Sequence, residues 1–250
     1  MSGHSKWASI KHKKAATDAK RGKMFTKLAR AITVAAREGG GDPEGNPTLA
    51  TAIQKARDAS MPKDNIQRAV DRGTGAGSDG QAIERVVYEG YGPGGAAIMV
   101  EALTDNRNRS GSEIRHAFEK SGGSLGEPGS VAYVFEKRGV VLVDGDRYDE
   151  DDLISAVDAG ADDVGADGDL IKVTADPSDL VAVRKALEAD GVAVQSAELA
   201  MDPKTVVEIT DEAEARRLVG LMETLDDHDD VDAVHANFDI PAELLEQAAA

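Results

Sequence analysis

Apolar residues recur with helical spacing over the first third of the chain and with strand spacing over most of the remainder. Across residues 18–38, Met24, Leu28, Ala31, Ile32 and Ala35 fall on one face of a 3.6-residue repeat. Lys20, Lys23, Lys27, Arg30 and Arg37 fall on the opposite face, so this helix packs on one side and offers its cations to solvent on the other. Gly39, Gly40 and Gly41 stop it. Asn46 and Pro47 open a second helix, with Leu49, Ala52, Ile53 and Ala56 spaced for burial. Pro62 starts a third, which turns Ile66, Ala69 and Val70 inward, presents Lys63, Arg68 and Arg72, and ends at Gly73. Residues 73–80, GTGAGSDG, hold nothing apolar larger than Ala and read as a hinge.

Beyond the hinge, strand-like runs at residues 83–89 and 96–103 flank a Gly-rich turn. A helix near residues 112–120 and a strand at 131–135 follow. Residues 140–143, a helix at 151–159, a short strand near Asp163, residues 170–174, a helix at 178–189 and residues 192–199 then spell βαββαβ, a ferredoxin-like unit. Residues 205–209, a helix at 211–225 and residues 231–238 supply strands that complete the sheet left unfinished at Phe135. The predicted fold class is α+β: an N-terminal helical domain plus two ferredoxin-like α/β domains, the third inserted in the second. The expected boundaries are residues 1–75, residues 81–137 with 204–240, and residues 138–203.

Charge changes this picture. The chain has 250 residues and a formal net charge of -17, yet its first 37 residues carry ten Lys or Arg against the single acid Asp18. To Arg72 there are fifteen basic and seven acidic residues, a net +8, so the remainder holds -25. Clustered Lys and Arg displace condensed counterions from a phosphate backbone, so the split points to a polyanion-binding head on an acidic body. Residues 2–14, SGHSKWASIKHKK, are too cationic to pack alone and read as an arm that orders on binding. The absence of Cys excludes disulfides, thiol nucleophiles and thiolate metal sites, and suits a reducing cytoplasm. No apolar run approaches the roughly 20 residues that cross a bilayer, and no membrane partner is expected.

Catalytic patterns fail on context. Gly122-Gly123-Ser124-Leu125-Gly126 matches GxSxG, but a helix precedes it and a strand follows, the reverse of a nucleophile elbow. The GxGxxG matches at residues 75–80 and 90–95 do not lead from strand into helix, as a dinucleotide site requires. Residues 163–174 lack the Glu that closes a calcium loop, the five His form no i, i+4 metal pair, and residues 149–152 and 226–230 read as solvated loop acids. No P-loop is present. A non-enzyme without metal or cofactor is the expectation.

The segments GHSKWASIKHKK, RGKMF, NPTLATAIQKAR, MPKDNIQRAV, YEGYGPGG, LTDNRNRS and GGSLGEPGSVAYVF resemble the YebC/PmpR family, which includes the mitochondrial translational activator of cytochrome c oxidase. The resemblance runs over about residues 2–138. It implies a three-domain, non-enzymatic regulator, described within the family both as DNA-binding transcriptional regulators and as ribosome-associated factors that ease stalling at proline runs. The chain departs from such a role in one respect: from Arg138 onward it holds 8 basic and 30 acidic residues, which argues against nucleic-acid contact by the inserted domain.

The expected partner is DNA or ribosomal RNA, with the ribosome as a candidate assembly and a protein-only adaptor as a third class. Lys6, Lys11, Lys13, Lys14, Lys20, Arg21, Lys23, Lys27 and Arg30 would neutralise phosphates, with His12 among them. Trp7 either stacks on an unpaired base or pins the arm to the helical domain. Asn106, Arg107, Asn108 and Arg109 could read base edges, or the segment could simply begin a helix with its arginines solvated. The connection at residues 39–46 is too long for a helix-turn-helix, which weakens sequence-specific duplex reading. Gly90, Tyr91, Gly92, Pro93, Gly94 and Gly95 form either a plain turn or a functional loop whose backbone approaches RNA or a nascent peptide. In the second case, changing Gly94 and Gly95 to Val removes activity without unfolding the domain.

Overall fold

The computed structural model describes residues 18–75 and 83–249. Helix α1 (Asp18–Gly39), α2 (Pro47–Asp58) and α3 (Lys63–Gly73) pack around Ile32, Ala35, Ala36, Leu49, Ile53, Ala56, Ile66 and Val70, with Phe25 and Leu28 against that core. The buried stripe of α1 therefore starts from Phe25, not Met24, which is 39% exposed. Phe25, Leu28, Ala29, Ile32, Ala35 and Ala36 follow i, i+3, i+4 spacing more closely than the stripe read from Met24. Asn46 fixes the α1–α2 corner. Its side chain accepts from Leu49 N–H (3.1 Å) and donates to the carbonyls of Ala35 (2.8 Å) and Gly40 (2.9 Å). Gly73 acts by size: a Cβ there would lie 2.4 Å from the Thr33 carbonyl and 2.7 Å from Ala36 Cβ, so α1 and α3 touch backbone to backbone.

The first sheet has the order β3-β1-β2-β9, built from β1 (Glu84–Tyr91), β2 (Ala97–Thr104), β3 (Ser124–Leu125) and β9 (Val231–Ala236), all neighbours antiparallel. Helices α4 (Arg107–Lys120) and α7 (Glu212–Asp226) cover one face, burying Ile114, Phe118, Leu218, Leu221 and Leu225 against Ile98, Val100, Val234 and Ala236. On the other face Ala97 and Met99 meet Val131, Val134 and Phe135.

Residues 131–135 are not a strand. A 3₁₀ turn (Ala132–Val134) leads into one long strand, β4 (Phe135–Asp144), because Val131, Val134 and Phe135 sit at i, i+3, i+4, a helical spacing that brings all three onto Met99.

Strand β4 continues into a second sheet, β5-β6-β4-β7, with β5 (Ala161–Asp167), β6 (Leu170–Ala175) and β7 (Val194–Pro203). Helices α5 (Ile154–Asp158) and α6 (Leu180–Ala189) lie on it through Ala156, Val183 and Leu187, the ferredoxin-like arrangement. Strands β8 (Val207–Glu208) and β10 (Phe238–Asp239) form a short parallel pair. The final helix α8 (Ala242–Ala249) buries Leu245 in the first core, although the sequence pattern gave it no place. The fold is α+β. Among the described residues no helix is long and apolar enough to cross a membrane.

Candidate nucleic-acid interface

Lys23, Lys27 and Arg30 are spaced i, i+4, i+7 and share one face of α1, but that face is only partly turned to solvent. It lies on the C-terminus of α7 and the acidic loop after it. The last carbonyls of a helix lack intrahelical partners and carry its negative dipole end, which cations satisfy well. Lys27 Nζ donates to the Asp226 carbonyl (2.5 Å), Lys23 Nζ to the Asp227 carbonyl, and Arg30 Nη1 to the Asp229 carbonyl (3.1 Å); Lys23 also pairs with the Asp229 carboxylate at 3.0 Å.

The acids at 226–230 are therefore not all solvated loop acids. Asp230 is 4% exposed and accepts from Arg30 Nη1 (2.7 Å), Arg109 Nη2 (2.7 Å), Ser110 Oγ (2.7 Å) and Thr104 Oγ1 (3.2 Å). Burial alone would raise its carboxyl, but the bonds from Arg109, Ser110 and Arg30 hold it at about 2. One carboxylate thus joins α1, the end of β2, the first turn of α4 and the start of β9.

The TDNRNRS segment divides accordingly. Asn106 is the N-cap of α4, accepting from Arg109 N–H at 3.1 Å, and Arg109 spans Asp105 (2.9 Å) and Asp230, so both side chains, although exposed, are engaged within the fold. Arg107 remains at the surface, its side chain 66% exposed and 3.5 Å from Glu84, and Asn108 is exposed beside it. Lys6, Trp7, Lys11, His12, Lys13 and Lys14 lie outside the described residues. Lys20 and Arg21 lie in the first turn of α1, with their side chains outside the described set.

Among the described side chains of the helical unit, Lys23 and Arg37 on α1 are exposed but bonded to the acidic loop and to the Ile83 carbonyl, and the other exposed cations are on α2 and α3: Arg57, Lys63, Arg68 and Arg72. The connection between these two helices is residues 59–62, four residues long, and contains Ser60 at φ 59°. That length suits a helix-turn-helix, whereas the longer α1–α2 connection does not. Further ion pairs join this unit to the second sheet: Lys55 to Glu198, and Arg184 to Asp58 through two bonds of 2.9 and 3.1 Å.

In the Gly-rich loop the glycines have packing reasons. A Cβ on Gly90 would lie 2.6 Å from the Ser124 carbonyl, and one on Gly92 2.8 Å from Ile98 Cδ1. Gly94 has φ 69° and would place a Cβ 2.3 Å from Ile209 Cδ1. Pro93 is buried, Gly95 is exposed, and Tyr91 is 36% exposed at the rim. Gly94→Val is therefore expected to destabilise the fold by about 2 kcal/mol, through a left-handed β-branched residue as well as the clash. A lowered melting temperature would show this, where an unchanged one would favour a purely functional loop.

Sequence reasoning missed the Asp230 cluster with Thr104 and Ser110. Its available signal was an acidic run directly after an apolar helix, in a chain whose first helix is basic.

The comparisons agree along the whole chain. A family model described as the TACO1/YebC protein N-terminal domain matches residues 5–76, and one for the TACO1/YebC second and third domain matches residues 83–238. A protein of Rubrobacter xylanophilus named "Probable transcriptional regulatory protein" is 58% identical over 100% of both chains. One of the same name from Halothermothrix orenii is 54% identical over 99% of this chain and 98% of its own. A crystal structure of a conserved hypothetical protein from Aquifex aeolicus superposes with a TM-score of 0.84 at 46% identity, covering 94% of this chain and 97% of that one. Relatives at this level name a regulator, and the chain belongs to the TACO1/YebC family.

Proposed function

We propose that the chain is a non-enzymatic, DNA-binding regulator of transcription acting in the cytoplasm, its N-terminal helical unit neutralising phosphates. The observation that carries this reading is the exposed cation set Arg57, Lys63, Arg68 and Arg72 on two helices joined by a four-residue connection. It adjoins a chain start whose first 37 residues hold ten Lys or Arg. The α1 cations Lys23, Lys27 and Arg30 play a second part: they orient the unit on the first sheet, leaving α3 and the basic start to meet the polymer. The names of the relatives favour DNA over ribosomal RNA.

Mobility shifts of the full chain with duplex DNA test this. Neutralising about six phosphates makes affinity fall by about three orders of magnitude between low and physiological salt. Reversing Lys63, Arg68 and Arg72 to Glu should weaken binding about tenfold or more at unchanged melting temperature. Retention of duplex by the triple variant, or binding insensitive to salt, would remove the reading. Co-sedimentation with ribosomes without duplex binding would replace DNA by ribosomal RNA.

A further inference from the structure

The loop after β3 is held by a buried carboxylate. Glu89, 7% exposed, accepts from the backbone N–H groups of Gly129 (2.7 Å), Val131 (2.8 Å) and Ala132 (2.8 Å). Burial would raise its carboxyl, and these three bonds lower it instead, so it stays charged under a surface turn. Within that turn Val131, Val134 and Phe135 face inward, and Tyr133 is left 69% exposed, the most exposed large apolar side chain among the described residues.

Tyr91 stands beside it. Its hydroxyl donates to the Ser130 carbonyl at 2.9 Å, which fixes the ring, and the neighbouring Tyr133 hydroxyl raises its phenol above the ordinary value. In the loop that carries the pair, the positions a Cβ would take on Gly122 and Gly129 are open space, while Glu127 and Pro128 are exposed between them. Lys204, exposed, is tied to the same turn by its backbone N–H on the Val134 carbonyl at 2.8 Å.

We propose that Tyr133, with Tyr91 beside it and Lys204 at its edge, is a stacking platform for an unpaired base of bound single-stranded nucleic acid. This rests on the nucleic-acid reading above. An aromatic face on a rigid turn accepts any base, and glycine flanks let the sugar-phosphate chain approach closely. The platform is remote from the helical unit: β1 runs from Glu84, next to the Ile83 carbonyl held by Arg37, to Tyr91, about 23 Å at roughly 3.3 Å per residue. A strand gripped by the basic unit would have to be unpaired beyond it to reach Tyr133, which gives the molecule a preference for duplex ends, bubbles or loops.

Fluorescence anisotropy of the full chain with labelled single-stranded RNA, single-stranded DNA and a duplex, each of about 20 nucleotides, tests it. Tyr133→Ala should lower single-strand affinity about tenfold and leave the duplex unchanged, while Tyr133→Trp restores it. In a Trp7→Phe background, the Tyr133→Trp fluorescence should be quenched by single strands. RNA and DNA arms that fall equally place the recognition on the base; a fall in one alone assigns the platform to that polymer. Unchanged single-strand affinity in Tyr133→Ala, or an equal loss on duplex, overturns the platform while leaving the basic unit in place. A wild-type chain that binds no arm removes the nucleic-acid reading itself.

Discussion

Replacing Asp230 with Ala is expected to destabilise the protein by about 3 kcal/mol, measured by urea unfolding. Removing one member of a buried, hydrogen-bonded charge cluster leaves its partners uncompensated, at about 3–5 kcal/mol when all are buried. Here the side chains of Arg30 and Arg109 keep 29% and 44% exposure, so water recovers part of that cost. Ser110, fully buried, and Thr104, 1% exposed, cannot be rehydrated; they retain only each other at 2.7 Å and nearby backbone. Asp229→Asn should cost no more than about 0.5 kcal/mol, because that carboxylate is 74% exposed and its pair with Lys23 lies at the surface. A double-mutant cycle between Arg30 and Asp230 should give a coupling of about 1 kcal/mol or more. Equal effects at Asp229 and Asp230 would show that the loop holds α1 by net charge instead of through the buried carboxylate. The contrast also bears on binding. Relieved of the Asp230 carboxylate, Arg30 and Arg109 would add to the cationic surface, so Asp230→Ala should bind duplex DNA at least as tightly as the native chain.

The elements that local chemistry dictates were legible in the sequence. Asn46 before Pro47 marked a helix start and caps α2 in the structure, and the βαββαβ grammar marked the elements of the second sheet, whose strand order the structure supplies. Readings failed where one spacing served two periods. Val131, Val134 and Phe135 fit a short strand and a helical turn equally, and only packing on Met99 decides between them. The site was less legible for a different reason. Lys23, Lys27 and Arg30 meet partners about 200 positions away along the chain, so the helical wheel identified the correct face but not its occupant. Arg109 followed the same course, since Asp105 is local and Asp230 is not. The break at Pro62 was visible as punctuation, yet the bearing of the four-residue connection on duplex recognition depends on where α2 ends, and that end is set by the positive φ of Ser60.

Acidification should act first on the seam between the helical unit and the first sheet. Two carboxylates there are held near 2. One is Asp230. The other is Glu101, which burial would raise but which His235 and Arg85 lower to about 2. His235 Nδ1 accepts from Met201 N–H at 3.3 Å, so Nε2 carries the proton toward Glu101, 3.2 Å away, and Arg85 Nη1 lies 2.9 Å from the other oxygen. Because both folded-state values lie below the ordinary 3.8 and 4.5, their contribution is complete above about pH 5 and is lost as pH falls toward 2. At 1.36 kcal/mol per unit, this amounts to about 2 kcal/mol for Asp230 and about 3 kcal/mol for Glu101. Asp232, raised by burial, runs the other way and offsets part of the loss. The expected result is a drop of several kcal/mol between pH 5 and 2. It should be reduced in Glu101→Gln, which is weaker at neutral pH but has less to lose in acid. Since Arg30 carries α1 onto Asp230, and Arg85, which holds Glu101, also lies 3.9 Å from Glu38 at the end of α1, amide exchange in α1 should rise before exchange in β6 or β7, whose sheet holds neither carboxylate. Simultaneous loss of protection across both sheets would contradict a seam that opens first.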